Sequence, residues 1–225
     1  MRPIAYITLG FAPIVAIGIY FYCKKQYDKS FLNLLTMSFI IGAFSIAIVL
    51  FAEMLSTWLG LNNVHSLKRT LFYSFVTIGG ISEFAKFFLF RYFILPDKLI
   101  DRPMHGITFS VMTALGFSSL FLLFYALDLF GTQQIFPVTL YPFLFVPANI
   151  LFAIIMGFFT GMAKFLKARF FFYLTGFLGP AFFHGIFNFC LLSHDYKLLS
   201  LFSFGSMVIV FILGLKAAYT KPGLS

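Results

Sequence analysis

The chain has 225 residues, of which 61% are hydrophobic and only 10% are charged. Because a soluble domain carries about 25% charged residues, this composition excludes a water-soluble globular protein. The net charge of +9 does not indicate nucleic acid binding, since Lys and Arg at loop ends set the orientation of a membrane protein. Long unbroken apolar runs favour helices over a β-barrel, so we predict an all-α polytopic membrane helix bundle.

Seven apolar runs are each long enough to cross about 30 Å of hydrocarbon at about 1.5 Å per residue. No small-residue cleavage site follows the first run, so we expect a retained span and not a removed signal peptide. The loops are too short for a soluble domain, and residues 1–225 are therefore predicted to form a single integral membrane domain. The predicted spans cover about 3–22, 31–59, 71–95, 106–130, 139–163, 170–193 and 198–217.

The basic residues are unevenly divided between the two sets of loops. Eleven of the 16 Lys and Arg residues fall in one set of loops and helix ends, and four fall in the other. The positive-inside rule puts the richer set in the cytoplasm, which predicts an N-terminus outside and a cytoplasmic C-terminus. The richer set consists of Lys24, Lys25, Lys29, Arg91, Lys98, Arg102, Lys164, Lys167, Arg169, Lys216 and Lys221.

The third span carries the most informative residues, because Glu83 and Lys86 lie one helical turn apart inside a hydrophobic run. A charge at the centre of a bilayer costs about 2.5–3.5 kcal/mol on insertion scales, so such residues normally face a bundle interior and mark a functional site. The structural alternative is an ion pair that only neutralises itself, since residues three apart share a helix face. Glu53 precedes Trp58 near the end of the second span and is expected at the membrane interface.

Further polar residues occur on the later spans. His184 and Asn188 are four residues apart on the sixth span, so they project from one helix face. A histidine there is a candidate metal ligand, general acid or base, or oxyanion donor; a hydrogen bond to a neighbouring helix is the structural alternative. Asn149 lies on the fifth span, ahead of Gly157 and Gly161, whose spacing of four permits close helix approach.

Four segments resemble, in order, the motifs of the PrsW family of intramembrane proteases, which belongs with the CAAX-protease and bacteriocin-processing membrane proteins. The family's motifs are a double glutamate followed by a lysine, a Gly-Phe-Ala run leading to Glu-Asn, a Pro-Ala-His opening a helix, and a Phe-His-Gly-x-x-Asp run. The resemblance implies a PrsW-like core of four helices over residues 71–190. The matching segments are 81–87 (ISEFAKF), 116–122 (GFSSLFL), 147–149 (PAN) with 155–161 (IMGFFTG), and 183–188 (FHGIFN).

The chain departs from this pattern at several polar positions. Ser82 stands where the family has the first glutamate, and Phe121 and Leu122 stand where the second motif has Glu-Asn. Asn149 replaces the histidine of the third motif, and Asn188 replaces the aspartate of the fourth. Each change makes the site drier and less charged than the resemblance implies.

Glu83 and His184 keep the family's residue types and are, by resemblance, the candidate catalytic residues. Together they supply two of the three protein ligands that a catalytic zinc normally needs. We therefore expect no cofactor in an inactive protein. If the protein is active, a divalent metal such as zinc is possible. His105, where the resembled pattern has an acidic residue, is expected to be a solvated histidine at the interface. The supporting polar residues are Ser82, Lys86, Asn149 and Asn188.

Three functions remain open. The lost polar residues favour a catalytically degraded pseudoprotease that binds or regulates other membrane proteins, and so a chain that is not an enzyme. The alternative is an active intramembrane protease that uses Glu83 and His184, and a weaker one is a transporter of small solutes or lipids, which the lack of inverted repeats disfavours. The resemblance implies a bacterial cytoplasmic membrane, with lipids and another membrane protein as partners.

One structural feature distinguishes the first two functions. A hydrated cavity around Glu83 and His184 would favour a protease, because hydrolysis needs a water beside its base. A Phe121 ring that fills this space would favour the pseudoprotease.

Overall fold

The computed structural model describes residues 8–61, 66–127 and 141–220, and within these ranges the chain forms seven helices and no strand. The all-α membrane bundle that the composition predicts is therefore confirmed, and each helix overlaps one predicted span. The outer ends of the predicted first, fourth and fifth spans lie outside the described residues. The helices are α1 Phe11–Lys24, α2 Lys29–Trp58, α3 from Leu67 to Ile94, α4 Pro103–Ala126, α5 Tyr141–Ala163, α6 Arg169–Leu192 and α7 Tyr196–Tyr219.

Most of these helices are individually suited to cross a membrane. Helices α2, α4, α5, α6 and α7 are long and apolar enough by themselves, and α1 is a shorter apolar helix. Helix α3 changes its winding along its length: α-helical Leu67–Phe72 and Ile81–Leu89 alternate with π-helical Tyr73–Gly80 and Phe90–Ile94. The backbone stays in the right-handed helical region at each junction, so α3 is one continuous helix.

Helix α4 lies at the centre of the bundle. It packs against α1, α2, α5 and α7, and most of its side chains are buried. Helix α7, at the other extreme, buries only four of its 24 residues and leaves Leu201, Phe204 and Phe211 exposed. The sequences of α1 and α7, apolar all round, are typical of such peripheral, lipid-facing helices.

Small residues determine how closely α4 and α5 pack. A Cβ atom added at Gly157 would lie 2.5 Å from the carbonyl oxygen of Gly106, and one added at Gly106 would lie 2.5 Å from that of Gly157. A Cβ atom at Gly161, one turn further along α5, would lie 3.0 Å from the Cα atom of Pro103. The predicted close helix approach at Gly157 and Gly161 is therefore confirmed.

The prediction that His105 is solvated at the interface was wrong. The residue is only 4% exposed, because the loop before α4 folds over the beginning of that helix. Its Nδ1 atom lies 2.9 Å from the Leu99 carbonyl oxygen and 2.9 Å from Asp101 Oδ1, and its Nε2 atom lies 3.2 Å from the Tyr27 hydroxyl. Both ring nitrogens are therefore used in holding the loop against the bundle, and the residue has a structural role.

The α4–α5 contact leads to a stability prediction. Replacing Gly157 by Val forces side-chain atoms into the Gly106 backbone, and overpacking of this kind typically costs about 1–3 kcal/mol. Gly205→Val is the matched control, because a Cβ atom at Gly205 on α7 meets no atom within 4 Å. We expect Gly157→Val to lower the thermal unfolding midpoint in detergent by several degrees and Gly205→Val to leave it unchanged. Equal midpoints for the two variants would contradict the close packing.

Candidate active site

Helices α3 and α6 touch backbone to backbone, and this contact positions the candidate catalytic residues. A Cβ atom added at Gly79 would lie 2.7 Å from the backbone nitrogen of Gly185. Glu83 follows Gly79 by one turn of α3, and His184 directly precedes Gly185 on α6. The helix crossing therefore brings the Glu83 carboxylate against the His184 ring. The π-helical stretch of α3 ends just before Glu83, and such stretches are frequent at functional sites.

Glu83 Oε1 is the centre of a hydrogen-bonded network that joins three helices. Lys86 Nζ donates to it at 2.6 Å, and His184 Nδ1 lies 2.8 Å from the same oxygen. Lys86 Nζ also donates to Asn149 Oδ1 at 2.7 Å, and Asn149 Nδ2 donates to the Phe145 carbonyl at 3.0 Å. The predicted site residues Glu83, Lys86, Asn149 and His184 are thus brought together from α3, α5 and α6.

The network is closed off from solvent. None of its four side chains is more than 2% exposed. A buried ion pair is better tolerated when further hydrogen bonds support its partners. Asn149 supplies one to Lys86 and His184 one to Glu83 Oε1, whereas Glu83 Oε2 is buried with no hydrogen-bond partner among the described residues. The Lys86 ammonium also lies 4.8 Å from the centre of the Phe117 ring, within the range of a cation–π interaction.

The geometry fixes the orientation of the His184 ring. An ionised carboxylate only accepts hydrogen bonds, so we assign the proton of this contact to His184 Nδ1. In the neutral ring the other nitrogen, Nε2, then carries a free lone pair. This atom is buried and has no hydrogen-bond partner among the described residues. The ring is further held by Phe152, which stacks on it with centroids 5.0 Å apart.

A cavity lies beside His184. Ser82 and His184 line it, and about 40 Å³ of it is open to solvent-sized molecules, room for a few waters at about 10–15 Å³ each. Phe121 lies in the wall, where it stacks on Phe145 with ring centroids 4.3 Å apart, and it narrows the cavity without closing it. The remaining wall is mainly apolar and includes Ile46, Val49, Leu50, Ile78, Phe117 and Phe124.

Two of the predicted supporting residues lie at the edge of the network. Asn188 Nδ2 donates to the His184 carbonyl of its own helix at 3.0 Å, and its Oδ1 atom has no hydrogen-bond partner among the described residues. Asn188 therefore does not join the hydrogen bonds around Glu83. Ser82 is buried next to Glu83 in sequence and contributes to the cavity wall.

Further polar residues line the cavity and were not part of the predicted site, among them the hydrogen-bonded pair of Glu53 and Tyr73. The Tyr73 hydroxyl donates to Glu53 Oε1 at 2.6 Å, and both residues share the cavity wall with His184. The signal for Glu53 is its position as a carboxylate inside an apolar helix, which normally marks function. Tyr73 gives no such signal, because one tyrosine in a Phe-rich run is typical of packing.

The donor groups of the network do not fit a metal centre. A catalytic zinc normally takes three protein ligands, and the described residues contain no group of three His, Cys, Asp or Glu side chains that could hold a metal. The Lys86 ammonium already lies 2.6 Å from Glu83 Oε1, so a metal ion on that carboxylate would face a like charge. The cation of this site is the lysine.

The buried ion pair leads to a prediction on stability. Lys86→Met leaves the Glu83 carboxylate without a cation, and breaking a buried pair typically costs about 3–5 kcal/mol. The double variant Glu83→Gln/Lys86→Met removes both charges and should recover most of that loss. We expect this order in the free energy of unfolding measured in detergent micelles. A single Lys86→Met variant as stable as the wild type would show that the pair does not stabilise the fold.

Comparison with known proteins agrees with the motifs. The model of the "PrsW family intramembrane metalloprotease" matches residues 31–215. Protease PrsW of Geobacillus kaustophilus is 30% identical over 190 residues, covering 84% of this chain and 80% of its own length. Protease PrsW of Bacillus subtilis is 29% identical over 216 residues, covering 95% of this chain and 94% of its own.

More distant relatives carry the same name. Protease PrsW of Clostridioides difficile is 26% identical over 189 residues, covering 82% of this chain and 78% of its own length. No solved structure matches the chain. The match over most of the chain and the 30% identity together show that the chain belongs to the PrsW family.

Proposed function

We propose that this chain is an active intramembrane protease that cleaves another membrane protein, with Glu83 and His184 as its catalytic pair. The observation that carries the proposal is the His184 ring, held by Glu83 through Nδ1 at 2.8 Å beside a cavity with room for water. The family description and the names of the relatives support a protease, and nothing in them favours the degraded form expected from the sequence.

The first step of the proposed reaction is activation of water. A water molecule in the cavity donates a proton to His184 Nε2, and its oxygen attacks the carbonyl carbon of the scissile peptide bond. Glu83 stabilises the imidazolium that forms, and a carboxylate in this position also keeps the ring in the required tautomer. Lys86 donates to the carboxylate and holds it in place, and Asn149 accepts a second hydrogen bond from Lys86.

The second step is breakdown of the tetrahedral intermediate. His184 returns the proton from Nε2 to the nitrogen of the leaving amine, and the C–N bond breaks. The developing oxyanion needs a hydrogen-bond donor. Ser82, whose side chain lines the cavity with His184, is the described residue that we assign to this role.

The family description names a metal, and the network of this chain supplies only Glu83 and His184 as conventional ligands. The steps above therefore use only the chain's own residues. What a metal would add is Lewis-acid activation of the water or of the carbonyl.

The location of the network fits a reaction within the membrane. Asn149 and His184 each lie about 12 Å along their helices from the ends at Tyr141 and Leu192, at about 1.5 Å per residue. The positive-inside rule places those ends outside the cell. We therefore propose that cleavage takes place in the outer half of a bacterial cytoplasmic membrane, by a core of residues 71–190, on a substrate that reaches the site through the lipid.

The second candidate function is the pseudoprotease. The observation that favours it is the aromatic part of the cavity wall, to which Phe117, Phe121 and Phe145 belong. Such a wall holds little water, and a protein with this cavity would bind a membrane partner without cleaving it.

Substitution of the catalytic pair tests the protease directly. In membranes that also contain a library of single-pass membrane proteins, we expect wild-type protein to produce cleavage fragments. Glu83→Gln and His184→Asn should each lower the rate at least about 100-fold, the usual contribution of a general base. The measurement is the appearance of fragments with time, normalised to the amount of folded protease.

Two controls make this test decisive. His194→Asn changes an exposed histidine away from the network and should cleave like the wild type. Glu83→Gln/Lys86→Met should be folded and inactive, which separates loss of chemistry from loss of structure. Cleavage by both catalytic variants at the wild-type rate would contradict the proposed pair.

A chelator tests whether a metal takes part. Cleavage should persist with a divalent-metal chelator, and loss of cleavage on chelation alone would assign the water activation to a metal.

A further inference from the structure

Glu53 is a carboxylate that lines the cavity, and its surroundings differ from those of Glu83. It lies on α2 at partial exposure, and its one described hydrogen bond is the donation from the Tyr73 hydroxyl to Oε1 at 2.6 Å. Whereas Glu83 has the Lys86 ammonium at 2.6 Å, no described Lys, Arg or His forms an ion pair with Glu53. Glu53 is therefore a carboxylate in a largely apolar wall without a cation from this part of the protein.

Glu53 also connects two spaces. It lines the cavity that contains His184 and Ser82, and it lines a surface groove at the end of α2 together with Leu50, Met54, Thr57 and Trp58. A chain segment that enters from this groove reaches Glu53 before it reaches His184. Trp58 is 81% exposed at the outer end of α2, where tryptophan typically marks the membrane interface.

The chemistry of the two walls indicates what this position would bind. An isolated carboxylate in an apolar environment is costly, and a cation that approaches it is strongly favoured over a neutral group. Leu50 in both spaces and Met54 in the groove offer apolar surface to an alkyl chain. A flexible alkyl stem that ends in an ammonium group matches both features, since such side chains bury the stem and direct the charge to a polar partner.

We infer that Glu53 is a cation-binding subsite, which takes the ammonium group of a lysine side chain in the polypeptide that enters the cavity. A role of this subsite in substrate choice rests on the proposed protease function. The binding of an ammonium group at Glu53 does not depend on that function. Tyr73 is a positioning residue in this account, because its hydroxyl holds Oε1 toward the shared wall.

The first test measures binding without any cleavage. Trp58 is the only tryptophan in the chain and lies in the groove with Glu53, so its fluorescence reports on this site. Hexylammonium should quench or shift the fluorescence with an apparent affinity at least about tenfold above that of hexanol, as expected for a hydrogen bond to a charged group. Glu53→Gln should abolish this difference, and Met37→Leu, a change at an exposed residue of α2 that lines neither the cavity nor the groove, should keep it. Equal affinities for hexylammonium and hexanol in the wild type would overturn the inference.

The second test measures specificity during cleavage. We compare the cleavage rates of single-pass substrates at equal expression. The substrates carry either Lys or Leu at one position, and this position is moved along both sides of the cleaved bond. At one of these positions the wild type should prefer Lys about tenfold, and Glu53→Gln should lose the preference while it still cleaves the Leu substrate. Cleavage by the wild type with no Lys preference at any position would overturn the subsite but leave the protease intact. Absence of cleavage of every substrate would overturn the protease, and the fluorescence titration would then decide the subsite by itself.

Discussion

A carboxylate buried in an apolar helix bundle has to be neutralised by the protein itself, and the core of this structure is arranged around that requirement at Glu83. One oxygen, Oε1, receives Lys86 from the same helix and His184 from α6, while Asn149 of α5 holds the ammonium from the other side. Because each contact comes from a different place in the chain, the network fixes the relative positions of three helices. Removal of any member leaves a buried charge or donor without its partner inside the bundle.

The same arrangement explains why the backbone is unusual at this point. Glu83 and His184 come within hydrogen-bond distance only because Gly79 and Gly185 let α3 and α6 touch, with no side chain between them. The π-helical winding before Glu83 changes the direction in which the later residues of α3 point. Close packing, irregular winding and a buried charge thus occur together at one crossing, which is typical of a site under functional constraint.

Two carboxylates are associated with the cavity in different ways: Glu53 lines it, and Glu83 holds His184, which lines it. Glu83 is fully buried with Lys86 as its cation, whereas Glu53 is partly exposed and its one described hydrogen bond comes from the Tyr73 hydroxyl. In the proposed enzyme the inner carboxylate orients a base and the outer one selects a cation. Aromatic residues, among them Phe121, form much of the wall and narrow the cavity that Glu53 shares with His184.

Much of the fold could be predicted from the sequence, because the length and polarity of the apolar runs depend on the bilayer and not on tertiary detail. The resemblance to the PrsW motifs grouped Glu83, Lys86, Asn149 and His184 in one candidate site, but it also grouped Asn188 with them, which stays outside the hydrogen bonds around Glu83. The burial of His105 could not be foreseen, because it depends on how the loop before α4 folds back. Glu53 was assigned to the interface because the sequence shows that it lies near the end of a span. The sequence does not show its hydrogen bond to Tyr73, which is 20 residues away.

The position of the proton on His184 tests the central claim most directly. Nitrogen NMR of histidine-labelled protein in lipid bilayers distinguishes the two ring nitrogens, and the His184 signals are identified as those lost in His184→Asn. We expect a proton on Nδ1, hydrogen-bonded to Glu83, and a lone pair on Nε2. A neutral ring with its proton on Nε2 would contradict the account, because that nitrogen could not accept a proton from water.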